Sequence, residues 1–158
     1  MTIDSTANGK KWEERRNEAL RLFSEGYSCA QAVLAACCEE YGLSRETAMA
    51  LSAGLGGGVG ATHDHLCGAV LGGVLFLGLR RGDTSPEAKK ESCADVKAFL
   101  DDFAAENGAL NCVDLIHQQG LKEKVAVDPR LAVIPGVRPC AKYVADAIDI
   151  LAARETEC

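Results

Sequence analysis

Four cysteines stand where helices are expected to begin: Cys29 after Ser28, Cys67 after His63-Asp64-His65, Cys112 after Asn111 and Cys140 after Pro139. A helix N-terminus presents unpaired backbone N–H groups and a partial positive charge. Both favour thiolate over thiol, and the thiolate is the form that attacks a disulfide or binds a metal. One cysteine so placed is common; four, spread over most of the chain, point to a converging site. No two of them form a Cys-x-x-Cys, the close spacing that zinc ribbons and thioredoxin-type pairs use. Four remote thiols on rigid helix ends suit an iron–sulfur cluster held between elements, since such clusters take four thiolates and are tuned by hydrogen bonds to sulfur. The competing reading is that they are small buried hydrophobes, as free cysteine commonly is.

Donors for bound sulfur have an obvious source. Gly54-Leu55-Gly56-Gly57-Gly58-Val59-Gly60 cannot be regular helix at low cost. A Rossmann fingerprint starting at Gly54 would need glycine where Val59 stands, and no strand precedes it. A phosphate loop would need a Gly-Lys-Ser/Thr triplet, which the chain lacks. The run is expected instead to bring backbone amides up to sulfur or to a neighbouring helix, with Gly57, Gly58, Gly60 and Gly68 against the cofactor.

Other residues with chemical potential are weaker candidates. His63-x-His65-x-Cys67 can add ligands for a second metal, or couple a proton to electron transfer. The preferred reading is a polar loop that caps the fourth helix through Asp64. His117 follows Cys112 by five residues, which puts the two on different faces of a helix and argues against a catalytic dyad. Cys37 would be about 12 Å along one helix from Cys29 at about 1.5 Å per residue, beyond the roughly 7 Å that a disulfide spans. Of Cys37 and Cys38, one is expected to face the core and the other a partner subunit. Cys93 reads as buried on an apolar stripe with Val96, and the final Cys158 as frayed and exposed. No catalytic residue is assigned.

The elements that must position these groups are helical. With 158 residues the chain supports one domain and is too short to expect two. A net charge of −6 argues against a nucleic-acid partner, because phosphate neutralisation needs a basic surface. The apolar run from Leu66 to Leu79 falls short of the roughly 20 residues of a membrane span, and residues 1–9 lack the apolar centre of a signal peptide. A cytoplasmic location follows, and in that reducing setting eight cysteines read as metal-binding or redox-active rather than disulfide-bonded.

Apolar residues recur at helical period and no segment alternates at period two. Residues 1–9 are expected to be loosely ordered. Helices are expected over 10–24, with Trp12, Ala19, Leu20 and Phe23 inward; from the Ser28 cap to Tyr41; over 44–53; and from Asp64 to Arg80, closed by Gly82. Ser85-Pro86-Glu87 is a strong start for a helix reaching Asn107. A short helix over 111–119, an ordered loop over 121–138 and a last helix from Pro139 to Arg154 complete an all-α single-domain bundle of six to seven helices over 10–158. Gly68, Gly72 and Gly73 would let a backbone approach the fourth helix closely, which allows a homodimer without requiring one.

Three stretches carry a resemblance: Gly-Tyr-Ser-Cys-Ala-Gln-Ala-Val-Leu (26–34), Gly-Leu-Gly-Gly-Gly-Val-Gly (54–60) and Cys-Gly-Ala-Val-Leu-Gly-Gly (67–73), followed by Leu77-Gly78-Leu79. Together they resemble the C_GCAxxG_C_C family of redox-active proteins, named for its cysteine pattern, and Cys112 and Cys140 fit its two later cysteines. A related domain accompanies an iron–sulfur centre in split-Soret cytochromes. The resemblance implies that Cys29, Cys67, Cys112 and Cys140 are cluster ligands or redox thiols. The chain departs from the pattern at His63-Asp64-His65, before Cys67.

The expectation is an iron–sulfur protein transferring single electrons to or from a redox partner protein, its cluster either two-iron or four-iron. Two rivals stand beside it: a thiol–disulfide oxidoreductase using two of these cysteines, and a zinc-stabilised helical interaction module.

Overall fold

The computed structural model describes residues 5–156. Eight α-helices follow in order: α1 (Ser5–Ser24), α2 (Cys29–Cys37), α3 (Arg45–Ser52), α4 (Gly68–Arg81), α5 (Pro86–Asn107), α6 (Cys112–Ile116), α7 (Leu121–Val127) and α8 (Ala141–Thr156). Among the described residues there is no strand, only an isolated bridge between Leu66 and Asn111. The all-α single-domain architecture is as expected, with eight helices where six to seven were counted.

Helix α2 lies at the centre because its sequence, Cys-Ala-Gln-Ala-Val-Leu-Ala-Ala-Cys, is apolar almost all round, the pattern of a helix without a solvent face. It buries Ala30, Ala32, Val33, Leu34, Ala35 and Cys37 against α1, α3, α4 and α8. Helix α4 comes closest. A Cβ on Gly72 would stand 2.9 Å from both the Ala30 carbonyl oxygen and Val33 Cβ, and one on Gly73 would strike the Phe99 ring of α5. The α4 glycines that suggested packing against a second copy are thus taken up inside the chain. Helix α8 closes the bundle with Tyr143, Val144, Ala147, Ile148 and Leu151, all buried. Apolar burial at about 25 cal/mol per Å² thus centres on α2 and α4, whose N-terminal ends carry two of the candidate cysteines.

Helix boundaries depart from expectation where tertiary contacts intervene. Helix α1 begins at Ser5, so residues 5–9, expected to be loose, are helical. Trp12 is buried with its Nε1 donating to Glu155, and Asn8 also bonds that carboxylate, which pins the first turns to α8. Residues 1–4 and Cys158 lie outside the described residues. Helix α2 stops at Cys37, and Glu39–Tyr41 tighten into a 3₁₀ turn closed by left-handed Gly42, a usual way to satisfy the last carbonyls.

Helix α4 starts at Gly68 with Cys67, not Asp64, at its cap, because residues 63–67 are drawn into backbone bonds with 110–113. Helix α6 ends at Ile116, where the Leu115 carbonyl is taken by the Tyr143 hydroxyl at 2.7 Å. The stretch expected as loop after Gly120 contains α7, seven residues that open on the good helix formers Leu121, Lys122, Glu123 and Lys124 and are anchored by buried Leu121; its prolines lie further on. Helix α5 runs from the Ser85 cap to Asn107 as read, since Ser85 Oγ accepts from Ala88 N–H at 3.2 Å, Pro86 opens the helix and Gly108 closes it in the left-handed conformation.

Two cysteine expectations are overturned. Cys93 is exposed, because Ser92, Asp95 and Val96 form the half-buried side of α5 there. Cys37 and Cys38 are both buried, at 2% and 0% exposure, so neither faces a partner. Burial in apolar surroundings pushes the Cys37 thiol up to about 12, which makes it inert at neutral pH.

Candidate functional site

Each candidate cysteine is held at a helix start. Cys29 is the first residue of α2, behind a reciprocal capping box in which Ser28 Oγ accepts from Gln31 N–H at 3.2 Å and Gln31 Oε1 accepts from Ser28 N–H at 2.9 Å. Cys67 caps α4, and Cys112 opens α6. These two are set in register by a short antiparallel clamp: Cys67 N–H donates to the Leu110 carbonyl at 2.8 Å and Cys112 N–H to the His65 carbonyl at 2.9 Å. Cys140 directly precedes α8 and accepts from Tyr143 N–H at 3.0 Å. The segment carrying Cys140 is tied to α8 by Arg130, which pairs with Asp128, Asp146 and Asp149 at 2.6–2.8 Å.

The glycine run wraps over this group. Gly60 N–H reaches the Gly54 carbonyl at 2.7 Å, and His63 N–H reaches the Gly57 carbonyl at 2.9 Å. Gly57, Gly58 and Gly60 take left-handed φ of 61°, 68° and 63°, and so do Val59 at 66°, Ala61 at 56° and His63 at 64°. The left-handed region is uncommon for side-chain-bearing residues, and three of them here mark a backbone held tightly by its surroundings.

All four cysteines line one cavity of about 610 Å³, together with Gly57, Gly60, Gly68 and His63. Phe23, Tyr27, Leu115 and Ile116 supply its apolar wall, and Ser28, Gln31, Arg138 and Tyr143 further polar groups. Gly58 supports the wall from behind: a Cβ there would stand 2.8 Å from both Cys112 Cβ and His63 Cα. A Cβ on Gly68 would overlap the Cys29 sulfur and come within 2.9 Å of Gly56 Cα. Three of the four glycines expected at a cofactor therefore face the cavity, and the fourth lets it close. Among the described residues, no three Cys, His, Asp or Glu side chains converge as ligands of one metal ion; the thiols are spread around the cavity.

The thiols are electrostatically unequal. A hydrogen bond with Cys67 is the largest influence on Cys29 and lowers it; burial opposes this, while the N–H groups of Gly57, Ala30 and Cys29 itself add to it, and the thiol comes down to about 6. Cys67, as the other member of that pair, is held well above the ordinary thiol range by the same bond and by burial, with the amides of Val70 and Ala69 acting against them. Cys112 and Cys140 are raised, mainly by burial. One thiolate and three thiols thus share the cavity at neutral pH.

His63 brings Nδ1 to 3.3 Å from Cys112 Sγ. This corrects the reading of residues 63–65 as a cap for α4: Asp64 and His65 do not line the cavity, and His63 does. His117 lines a separate cleft with Ile116 and Leu121, so it makes no dyad with Cys112. Sequence reasoning did not anticipate Arg138, whose guanidinium lies 4.2 Å over the Phe23 ring, or Tyr143, whose hydroxyl burial pushes up to about 12. The only signal for either was its nearness in sequence to Cys140.

Among the described residues no helix is long and apolar enough to cross a membrane. Compared with known proteins, residues 27–154 match the model of the C_GCAxxG_C_C family, described as "Putative redox-active protein". No curated protein and no solved structure matches the chain.

Proposed function

Because the chain belongs to the C_GCAxxG_C_C family and brings its four helix-start cysteines to one cavity, we propose that it is an iron–sulfur protein carrying single electrons. Cys29, Cys67, Cys112 and Cys140 are its ligands, and a redox partner protein in the cytoplasm, where thiols stay reduced, supplies or accepts the electron. The convergence on one cavity of four cysteines remote in sequence is the observation that carries this reading.

The donor set fits the group. Both two-iron and four-iron clusters take four thiolates, and one of the four, Cys29, is already ionised at neutral pH. Gly68 leaves unfilled the space beside the Cys29 sulfur, and Gly57 N–H points at that sulfur. Amide donors of this kind set the potential of such clusters by stabilising added negative charge on sulfur. A structural zinc would draw four ligands to about 2.3 Å from one point, a closer gathering than thiols spread around a cavity of about 610 Å³.

One observation favours a second reading. The hydrogen bond between Cys29 and Cys67 leaves one thiolate beside one protonated thiol, the arrangement of a nucleophile and its resolving partner in thiol–disulfide exchange. That chemistry needs two cysteines and gives no reason for Cys112 and Cys140 to share the cavity.

The test is to purify the protein without oxygen, record its visible spectrum and count iron, zinc and acid-labile sulfide on the same sample. A brown protein with iron and sulfide in comparable amounts is expected. A colourless protein that takes up no iron on anaerobic reconstitution contradicts the proposal. Loss of thiols in pairs on oxidation then supports exchange, whereas one zinc per chain with unfolding on chelation supports the structural module.

A further inference from the structure

We propose that His63 is a positioning residue of this site. Its ring donates a hydrogen bond from Nδ1 to the sulfur of Cys112 and raises the reduction potential of the group that the cysteines hold. The inference rests on the iron–sulfur reading above.

The geometry that carries it is direct. Nδ1 stands 3.3 Å from Cys112 Sγ, within reach of an N–H···S bond, and the backbone on both sides is fixed. His63 N–H donates to the Gly57 carbonyl at 2.9 Å, and the His63 carbonyl accepts from Val113 N–H at 3.0 Å. The residue carrying the donor is thereby bonded to the neighbour of the residue carrying the acceptor. Cys112 N–H in turn donates to the His65 carbonyl at 2.9 Å, so the two segments are locked together on either side of the sulfur contact.

His63 takes a φ of +64°. Histidine enters this region more readily than most side-chain-bearing residues, and here the backbone bonds on either side hold it there. Gly58 makes the room, because a Cβ there would press on both His63 Cα and Cys112 Cβ at 2.8 Å.

The other polar side chains on the cavity wall are otherwise engaged. The Tyr143 hydroxyl is given to the Leu115 carbonyl at 2.7 Å, the Arg138 guanidinium lies on the Phe23 ring, Ser28 Oγ accepts from Gln31 N–H, and the Gln31 amide donates to the Met49 carbonyl at 2.9 Å. His63 is the side chain placed to act on a candidate ligand sulfur beyond the backbone amides already described. A hydrogen bond drawn by that sulfur strengthens as the group gains an electron, so it favours the reduced state and raises the potential.

The test uses the full chain, loaded anaerobically with iron and sulfide, as wild type, His63→Gly and His63→Asn. Glycine accepts the left-handed φ and removes the ring; asparagine tolerates the same φ and offers an N–H. All three are expected to hold equal iron. At fixed ambient potential the ratio of reduced to oxidised protein should fall roughly tenfold in His63→Gly, a shift of about 59 mV for one electron, with His63→Asn between the two. Pulsed paramagnetic resonance of reduced protein carrying ¹⁵N-labelled histidine should show a weak nitrogen coupling in wild type that His63→Gly lacks.

An iron-loaded His63→Gly with unchanged potential overturns the inference and leaves the iron–sulfur reading standing. A coupling as strong as direct iron–nitrogen ligation, or loss of iron in both variants, makes His63 a ligand and overturns it too. Wild-type protein that takes up no iron and sulfide overturns the iron–sulfur reading and this inference with it.

Discussion

Alanine at position 68 is expected to abolish cluster binding while leaving the helical fold in place. The added methyl would overlap the Cys29 sulfur, 2.9 Å from Gly56 Cα and 3.2 Å from Ala30 N. Two of these neighbours are backbone atoms in the capping turn of α2 and the glycine run, so the sulfur must swing away from the cavity. Overpacking of this kind costs about 1–3 kcal/mol, less than the roughly 5–15 kcal/mol of a typical domain, so helicity should survive. Gly78 on the same helix has nothing within 4 Å of its ideal Cβ; alanine there should stabilise the protein by up to about 1 kcal/mol and keep the site. Iron per chain, measured beside circular dichroism, separates the cases: below a tenth of wild type for Gly68→Ala and unchanged for Gly78→Ala. Full iron in Gly68→Ala would mean that Cys29 is not a ligand in the position found here.

In metal-free protein, Cys29 should be modified by iodoacetamide far faster than any buried thiol, with a half-maximal rate near pH 6. At pH 7 Cys29, at about 6, is largely thiolate, whereas Cys37, at about 12, is almost wholly protonated. The thiolate fractions differ by about 10⁵, and the lower intrinsic nucleophilicity of a low-pKa thiolate gives back a factor of about 10²–10³. A selectivity of at least roughly a hundredfold remains, before the burial of Cys37 is considered. Peptide mapping after a timed pulse at several pH values reads it; equal labelling of Cys29 and Cys67 across pH 5–8 would contradict the thiolate–thiol pair.

The same shift links stability to pH. Between about pH 6 and the ordinary thiol range near pH 8.5, Cys29 is ionised when folded and protonated when unfolded, so the unfolded chain binds the extra proton and stability rises with pH. That contribution is lost as pH falls through 6. Cys67 is raised and acts in the opposite sense, but only above the unfolded thiol range, so it leaves this window to Cys29.

Much of this was legible in the sequence, for reasons that differ by residue. Ser28, Ser85-Pro86 and Gly82 announce helix ends through local chemistry, and local chemistry decided the ends there. All four candidate cysteines lie at helix starts as expected; at Cys29 the local Ser28 capping box accounts for this, whereas at Cys67 and Cys112 pairing between remote segments does. What the sequence could not show was the clamp between residues 63–67 and 110–113. It delays α4 from Asp64 to Gly68 and turns His63 toward Cys112, and it depends on a pairing between segments far apart in the chain. Cys93 was misplaced because a period of 3.6 blurs adjacent positions at the edge of an apolar stripe. Helix α7 is masked in the sequence by Pro129, Pro135 and Gly136, which break helices only after Val127.

The most direct measurement is the iron and sulfide content of anaerobically prepared serine variants, one cysteine at a time. Cys29→Ser, Cys67→Ser, Cys112→Ser and Cys140→Ser should each lose most of the iron and the visible colour. Cys93→Ser, at a thiol that is exposed and does not line the cavity, should keep both. Retention of a full cluster in both Cys112→Ser and Cys140→Ser would contradict a four-cysteine centre.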